Sequence, residues 1–329
     1  PGGQAGAKLI PIDAVQQFEV LVAPFDVRLS GFTGGVMNAV TRTGTNDWRF
    51  RLGGVHRNES LIGDLSLPTG PVEASGVDRS LLTFSVGGPV VQDQLHFFVA
   101  GEFEKRSQPP NGYNLYRDDP SLIRISEQAV EELGTLLGSS FNVEAGEAGV
   151  YPLEQDMANI FARADWNLSG GDRMTLRHVF AHAGNDQAPN RTGFLPYELS
   201  SNAVFRESTN HITSVQLFSE FGSRFANELN VTLQLTSDRT EPASDLPQIE
   251  VDVVSSIDDV SYSRPVRLGW QFFSQVNDLE QTSLRLTNSL DIKVGDDVVT
   301  LGATASWYDI THAFLPGAGG EFFFAGLQD

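Results

Sequence analysis

Residues 31–50 read "GFTGGVMNAVTRTGTNDWRF": a glycine-rich turn, an apolar run, a break and a restart. Val36, Met37, Ala39 and Val40 carry the run, "RTGTND" breaks it, and Trp48-Arg49-Phe50 restarts it. Glycines beside apolar positions make either a phosphate-cradling loop or a tight turn feeding a strand. The phosphate reading fails on spacing, because the Lys-Ser/Thr of a P-loop and the dinucleotide fingerprint are both missing. Gly31, Gly34 and Gly35 then serve positive φ and close backbone approach. What begins at Trp48 decides the fold.

From Trp48 onward the dominant period is two. Trp48, Phe50 and Leu52 alternate with Arg49 and Arg51. Leu82, Phe84 and Val86 share one face, and Leu95, Phe97, Val99 and Phe103 lie opposite His96, Glu102 and Glu104. Ile160 to Leu168, Leu229 to Leu235, Leu284 to Ile292 and Val299 to Trp307 repeat the pattern, and 174–181 and 212–221 carry a muddier version. The expectation is about nine strands. One face is apolar and the other carries charges, amides and hydroxyls, which fits half-buried antiparallel sheet around a soluble core or a water-filled lumen.

The connections separate these two. Short turns at 91–94, 169–172, 222–226 and 295–297 alternate with long connections at 58–78, 107–157, 183–210 and 237–281 and a tail from 311. Long loops at one end and tight turns at the other are the pattern of a transmembrane β-barrel. Trp48, Phe103, Trp166 and Trp307 fall near the expected strand ends, where aromatic girdles lie. Within the long connection 107–157, residues 126–141 predict a helix capped by Ser126.

Composition sets outer bounds. The 329 residues contain no cysteine, which removes disulfides and thiolate chemistry. The net charge is −20 (22 basic against 42 acidic residues), which argues against nucleic acid as a partner. No run of about eighteen apolar residues makes a membrane-spanning helix. The first residues, "PGGQAGAKL", and the last, "GEFFFAGLQD", read as interior to a longer chain.

Residues 10–57 resemble the end of the plug domain and the entry into the barrel of TonB-dependent outer-membrane receptors, and look most like the Oar-like subgroup that carries a carboxypeptidase-regulatory-like domain. The carrying motifs are "AVQQFEVLVAPFDVRLSGFTGG", "NAVTRTGTN" and the first strand after them; "SVGGPVVQDQLHFFVAGEFEKR" at 85–106 resembles the next two strands. The resemblance covers about a third of the chain. It implies a barrel of 22 strands closed around a plug, of which this chain is an internal fragment. The expected fold is all-β: a partial antiparallel transmembrane barrel (46–329) preceded by the C-terminal end of a plug (1–45). The implied function is ligand capture by extracellular loops and import with TonB-transduced energy, with outer-membrane lipid, a TonB-ExbB-ExbD complex and an unknown ligand as partners. A non-transporting surface binder or adhesin and a soluble carbohydrate-binding β-domain are the alternatives.

The site residues follow from that frame. Gly31, Gly34, Gly35, Asn38, Arg42 and Gly44 mark the junction between plug and barrel; Arg42 either pairs with a lumen carboxylate or, as most arginines on such a strand do, is solvated or paired locally. Arg49, Arg51, Arg163, Asp165, Arg285, Asp291 and Lys293 are expected to face the lumen. Tyr113, Tyr116, Tyr197, Trp270, Phe272 and Phe273, in the long connections, are candidates for stacking on a ligand, or equally for packing the loops on each other over the barrel mouth. No catalytic set stands out, so no enzyme and no cofactor are expected. His178 and His182 share a strand face but stand about 13 Å apart, and no metal site is expected. The acidic stretch 245–260 lacks the ligand order of a calcium loop and reads as solvated. Sequons at Asn58, Asn167, Asn190 and Asn230 read as chance matches.

Overall fold

The structure, a computed structural model, describes residues 5–22, 34–62, 65–67, 70–72, 76–108, 124–148, 151–189, 191 and 196–327. Among the described residues two strands precede the restart at Trp48, β1 (Val15–Val22) and β2 (Gly35–Thr41), which pair with each other in a sheet of their own. The wall follows as β3 (Arg49–Asn58), then, after a small hairpin of β4 (Leu65–Leu67) and β5 (Gly70–Val72), β6 (Asp78–Val91), β7 (Leu95–Gln108), β8 (Leu153–Asn167) and β9 (Arg173–Gln187). β10 (Tyr197–Glu198) intervenes before β11 (Val204–Phe221) and β12 (Phe225–Pro242). β13 (Gln248–Ile257) and β14 (Val260–Leu268) form a hairpin, β15 (Asn277–Val294) and β16 (Asp297–Phe314) complete the wall, and β17 (Glu321–Phe324) ends the series.

Nine of these strands make one open antiparallel sheet in the order β16-β15-β12-β11-β9-β8-β7-β6-β3. This is the partial barrel that the alternation predicts. Register aligns the apolar positions into a single outer face. Phe50, Val86, Val99, Ala162, His178, Thr213, Leu233, Leu284 and Trp307 stand opposite one another across all nine strands. On β12, Leu229 to Leu235 face outward, and beyond them the same face turns to Ser237, Arg239 and Glu241. An apolar band of roughly nine residues is what a tilted strand needs to cross a bilayer, and these strands continue past it. Trp307 lies mid-strand in β16, not at an end, because β16 runs on to Phe314. The tight turns at the other end each contain a residue with positive φ: Asp93, Gly170, Gly222 or Gly295.

The muddy alternation of β9 and β11 has a structural cause. On β9 the inner face carries Val179, Ala181 and Ala183, and the outer face carries His178, Phe180 and His182. Residues 5–14 lie on that inner face and bury it. Ala5, Ala7 and Leu9 pack on Met157, Ala181 and Ala183, and Leu9, Ile10 and Ala14 pack on Phe98, Ala100, Phe161, Val179 and Ile212. Burying a side chain such as Phe161 stabilises by about 1.5–3 kcal/mol, so apolar residues are required on the face expected to be polar.

The long connections are also built. β10, β14, β13 and β17 form a second sheet, and the helix Glu127–Phe141 packs on it, capped as expected by Ser126 Oγ, which accepts from Ala129 N at 3.3 Å. Its core joins Ile125, Leu133, Tyr197, Leu199, Val253 and Val266 from separate connections. The stretch 245–260, read as a solvated loop, is mostly the hairpin strand β13. Glu250, Asp252 and Val254 alternate there with the buried Val251 and Val253.

Candidate functional site: the inner face and its docked segment

Residues 5–14 cross the wall rather than running along it. Ala5 N donates to Ser208 Oγ on β11 (3.0 Å), and Asn185 Nδ2 on β9 donates to Ala5 O (2.9 Å). Asn159 Nδ2 on β8 donates to Lys8 O (3.1 Å), and Lys8 Nζ pairs with Glu102 on β7 (2.8 Å) and lies 3.7 Å from Glu104. Asp13 then meets Arg51 of β3 at 2.9 Å. The segment therefore bonds to five wall strands in ten residues, and Ile12–Ala14 lies against a sixth, β6. Glu102 is almost fully buried, and removing Lys8 would leave a buried carboxylate without its cation, which is strongly destabilising.

After the β1–β2 hairpin the chain returns to the wall at Thr41. Arg163 binds Asp165 through Nε at 2.8 Å and donates from Nη1 to Thr41 Oγ1 (2.9 Å) and Thr41 O (3.2 Å). Gly44 passes so close to β7 that a β-carbon would stand 2.3 Å from Phe97 O. Next, Asn46 clasps the β6–β7 turn. Its Nδ2 donates to Asp93 Oδ1 (2.5 Å), its Oδ1 accepts from Asp93 N (2.9 Å), and His96 Nε2 lies 2.8 Å from the same oxygen. Asn167 Nδ2 reaches Asp93 O at 3.0 Å from the next turn.

Of the junction residues, Gly31 lies outside the described residues. Gly34 has φ +90°, Gly35 opens β2, and Asn38 Nδ2 donates to Glu19 across the hairpin at 3.3 Å. Arg42 turns back on its own segment, with N to Ala14 O (2.8 Å) and Nε to Val15 O (3.3 Å). Arg42 is thus paired locally, and the ion pairs that join this segment to the wall are Lys8 with Glu102 and Asp13 with Arg51. Register puts all seven expected lumen residues on the inner face. Arg49 and Arg51 lie on β3, Arg163 and Asp165 on β8, and Arg285, Asp291 and Lys293 on β15. Asp291 accepts from Thr300 Oγ1 at 2.7 Å.

Tyr113 and Tyr116 lie outside the described residues. Tyr197 is fully buried, with its hydroxyl donating to Ala148 O (2.6 Å) and the guanidinium groups of Arg191 and Arg264 over its ring, so it packs the second sheet instead of facing solvent. Trp270 and Phe272 rest against Gly319 and Gly317, and Phe273 meets Phe272 edge-on at 5.0 Å while standing exposed. Among the described residues no group of three or more His, Asp or Glu converges as a metal site.

Sequence reasoning missed Lys8, Asn159, Asn185 and Ser208. Glu102 and Glu104 were visible on a polar face, but their partner lies 94 residues away from Glu102. The apolar residues on the inner face of β9 were the available signal that something covers it.

The arrangement defines a class: an open section of antiparallel transmembrane barrel wall with a segment of the same chain docked inside. No family model matches the sequence, and no curated protein matches it. Solved structures share the fold. The outer membrane transporter YddB from Escherichia coli matches with a TM-score of 0.58 at 11% identity, over 90% of this chain and 35% of that one. A mutant of the ferric enterobactin receptor PfeA from Pseudomonas aeruginosa matches with a TM-score of 0.50 at 12% identity, over 92% of this chain and 37% of that one. The chain therefore spans little more than a third of the length of either.

Proposed function

We propose that the chain is a section of an Oar-like, TonB-dependent receptor in the bacterial outer membrane, one that captures a ligand outside and imports it through a plugged barrel. Residues 1–45 are the end of the plug and 46–329 the first part of the barrel. The observation that carries this reading is the docked segment. A lipid-facing wall needs no strap of its own chain bound to its inner face by Lys8–Glu102, Arg51–Asp13 and Arg163–Thr41, whereas a gated pore does. The fold shared with an outer membrane transporter and a ferric enterobactin receptor supports it.

In this mechanism the folded loops hold the ligand, with Trp270, Phe272 and Phe273 as contacts. The remaining inner-face residues, Arg49, Arg285, Asp291 and Lys293, contact the rest of the plug or line the path. Binding alone only shifts populations between docked and released states; TonB, driven by ExbB and ExbD, supplies the work. The chain acts as a transporter and not as an enzyme. The test is uptake of candidate ligands by cells with and without TonB, alongside fractionation. Uptake that requires TonB, with the protein in the detergent-extracted outer membrane, is the expected result. Binding that persists while uptake is absent in both strains makes it a surface binder, and extraction in plain buffer overturns the membrane reading.

A further inference from the structure

The inner face of β7 to β11 reads peptide backbone. Three of its four hydrogen bonds to residues 5–8 go to main-chain atoms: Ser208 takes an N–H, and Asn185 and Asn159 each give to a carbonyl, while Glu102 takes the Lys8 side chain. Ser208 is oriented for this, because its hydroxyl proton goes to Asp238 at 2.5 Å, leaving a lone pair for the amide. The floor, Ala181 and Ala183, is fully covered and faces Ala5 and Ala7, so it admits small side chains. Glu102 and Glu104 close the end with negative charge around Lys8.

Apart from Arg206 Nε, beside Ser208, two amide atoms at the centre of the track remain over. Asn159 and Asn210 stand on either side of Ala181 in the register, both almost fully buried. Asn159 Oδ1 and Asn210 Nδ2 have no hydrogen-bond partner. One spare acceptor and one spare donor match the N–H and C=O of a further peptide unit. The docked segment thus fills the track without using all of it, although buried polar groups are normally paired.

We infer that this track is a binding site for a peptide of small residues that turns as Ala5-Gly6 does and is followed by a basic residue, and that residues 5–9 are its built-in competitor. The site rests on the proposed reading of the inner face as a lumen, and it names peptide as a cargo class for that lumen. It does not depend on TonB.

The experiment uses the protein extracted from its own membrane in detergent, and a fluorescein-labelled peptide of sequence Gln-Ala-Gly-Ala-Lys-Leu-Ile. Lys8→Glu places a carboxylate against Glu102 and Glu104 and should free the track. Fluorescence anisotropy should then show at least about tenfold tighter binding to this variant than to the parent, the equivalent of losing one charged hydrogen bond. Asn159→Leu in the same background should reverse the gain, and a peptide with Glu in place of Lys should not bind. A second arm needs no release variant. In Ala7→Cys the new thiol is shielded, and its labelling by maleimide, read by mass spectrometry, should accelerate as the peptide is titrated through roughly the mM effective concentration of a tethered segment. No binding to the Lys8→Glu protein together with no acceleration in Ala7→Cys overturns the proposal, as does equal binding of the Glu-substituted peptide. Uptake that proves independent of TonB would strike the import reading and leave these results standing.

Discussion

Gly44 is the residue at which the chain must be thin. Any β-carbon there collides with the backbone of Phe97, and backbone cannot swing away as a side chain can. Gly44→Val should cost about 1–3 kcal/mol, the usual cost of forcing atoms into a filled space, read as an earlier transition in heat-dependent gel mobility. Gly34→Ala should also destabilise, for its φ alone, since open space surrounds its Cβ direction. The sequence shows that these glycines matter but not which constraint acts on each: the clash at Gly44 is with a residue more than fifty positions away, invisible to local pattern. Tyr151, outside the membrane band, gives a pH test. Burial pushes its phenol up to about 12, above the ordinary value of about 10. Between those values the unfolded chain holds fewer protons than the folded one. The contribution is therefore complete below about pH 10 and is lost as pH rises towards 12. Urea midpoints for the loop sheet should fall over that window, and Tyr151→Phe should flatten the dependence, because it removes the titrating group, at no cost in hydrogen bonds since the hydroxyl has no partner.

Strands with water on one side and lipid on the other announce themselves, which is why β3, β6, β7, β8, β12, β15 and β16 were legible from alternation alone. Their boundaries were not, because each strand continues beyond the apolar band as polar sheet; β12 and β15 still pair at Thr240 and Asn277. β9 and β11 blur because both faces are half-apolar, one towards lipid and one towards the docked segment. β13 is hard to read in the sequence because Glu250 and Asp252 mask a period-two core of Ile249, Val251 and Val253. The face assignment predicts an asymmetry between neighbours on β15. Leu284→Arg, on the outer face, should cost about 2–4 kcal/mol near the bilayer midplane, whereas Arg285→Leu should be nearly neutral for stability. Urea unfolding in lipid vesicles distinguishes them, and equal costs would mean the faces are misassigned. For the loop helix, Ser126→Ala should lose about 1 kcal/mol of capping, seen as faster amide exchange confined to Glu127–Phe141.

At the scale of the molecule the sheet has two free edges, β3 and β16. Unpaired backbone groups cannot rest in hydrocarbon, so both edges must be paired in a membrane. Residues 1–329 produced alone and refolded into vesicles should therefore give edge-associated oligomers in place of a compact, heat-modifiable monomer on gels. A stable monomer would require the wall to close on itself. The barrel class was readable from the alternation of turn and loop lengths. The inner site was not, since it is made by a segment and a wall that share no sequence signal.

The direction in which residues 5–14 cross the wall has a mechanical consequence. Bonds laid across several strands are not loaded together when the chain is tugged from upstream of Ala5. They come away one after another: Ser208 and Asn185 first, then Asn159 and Glu102, then Arg51. Such peeling needs a far lower peak force than shearing the same contacts in parallel. The Asn46 clasp on Asp93 comes last in that series. It stays fastened while everything before it lifts, and the released length remains tethered to the point from which it can zip back.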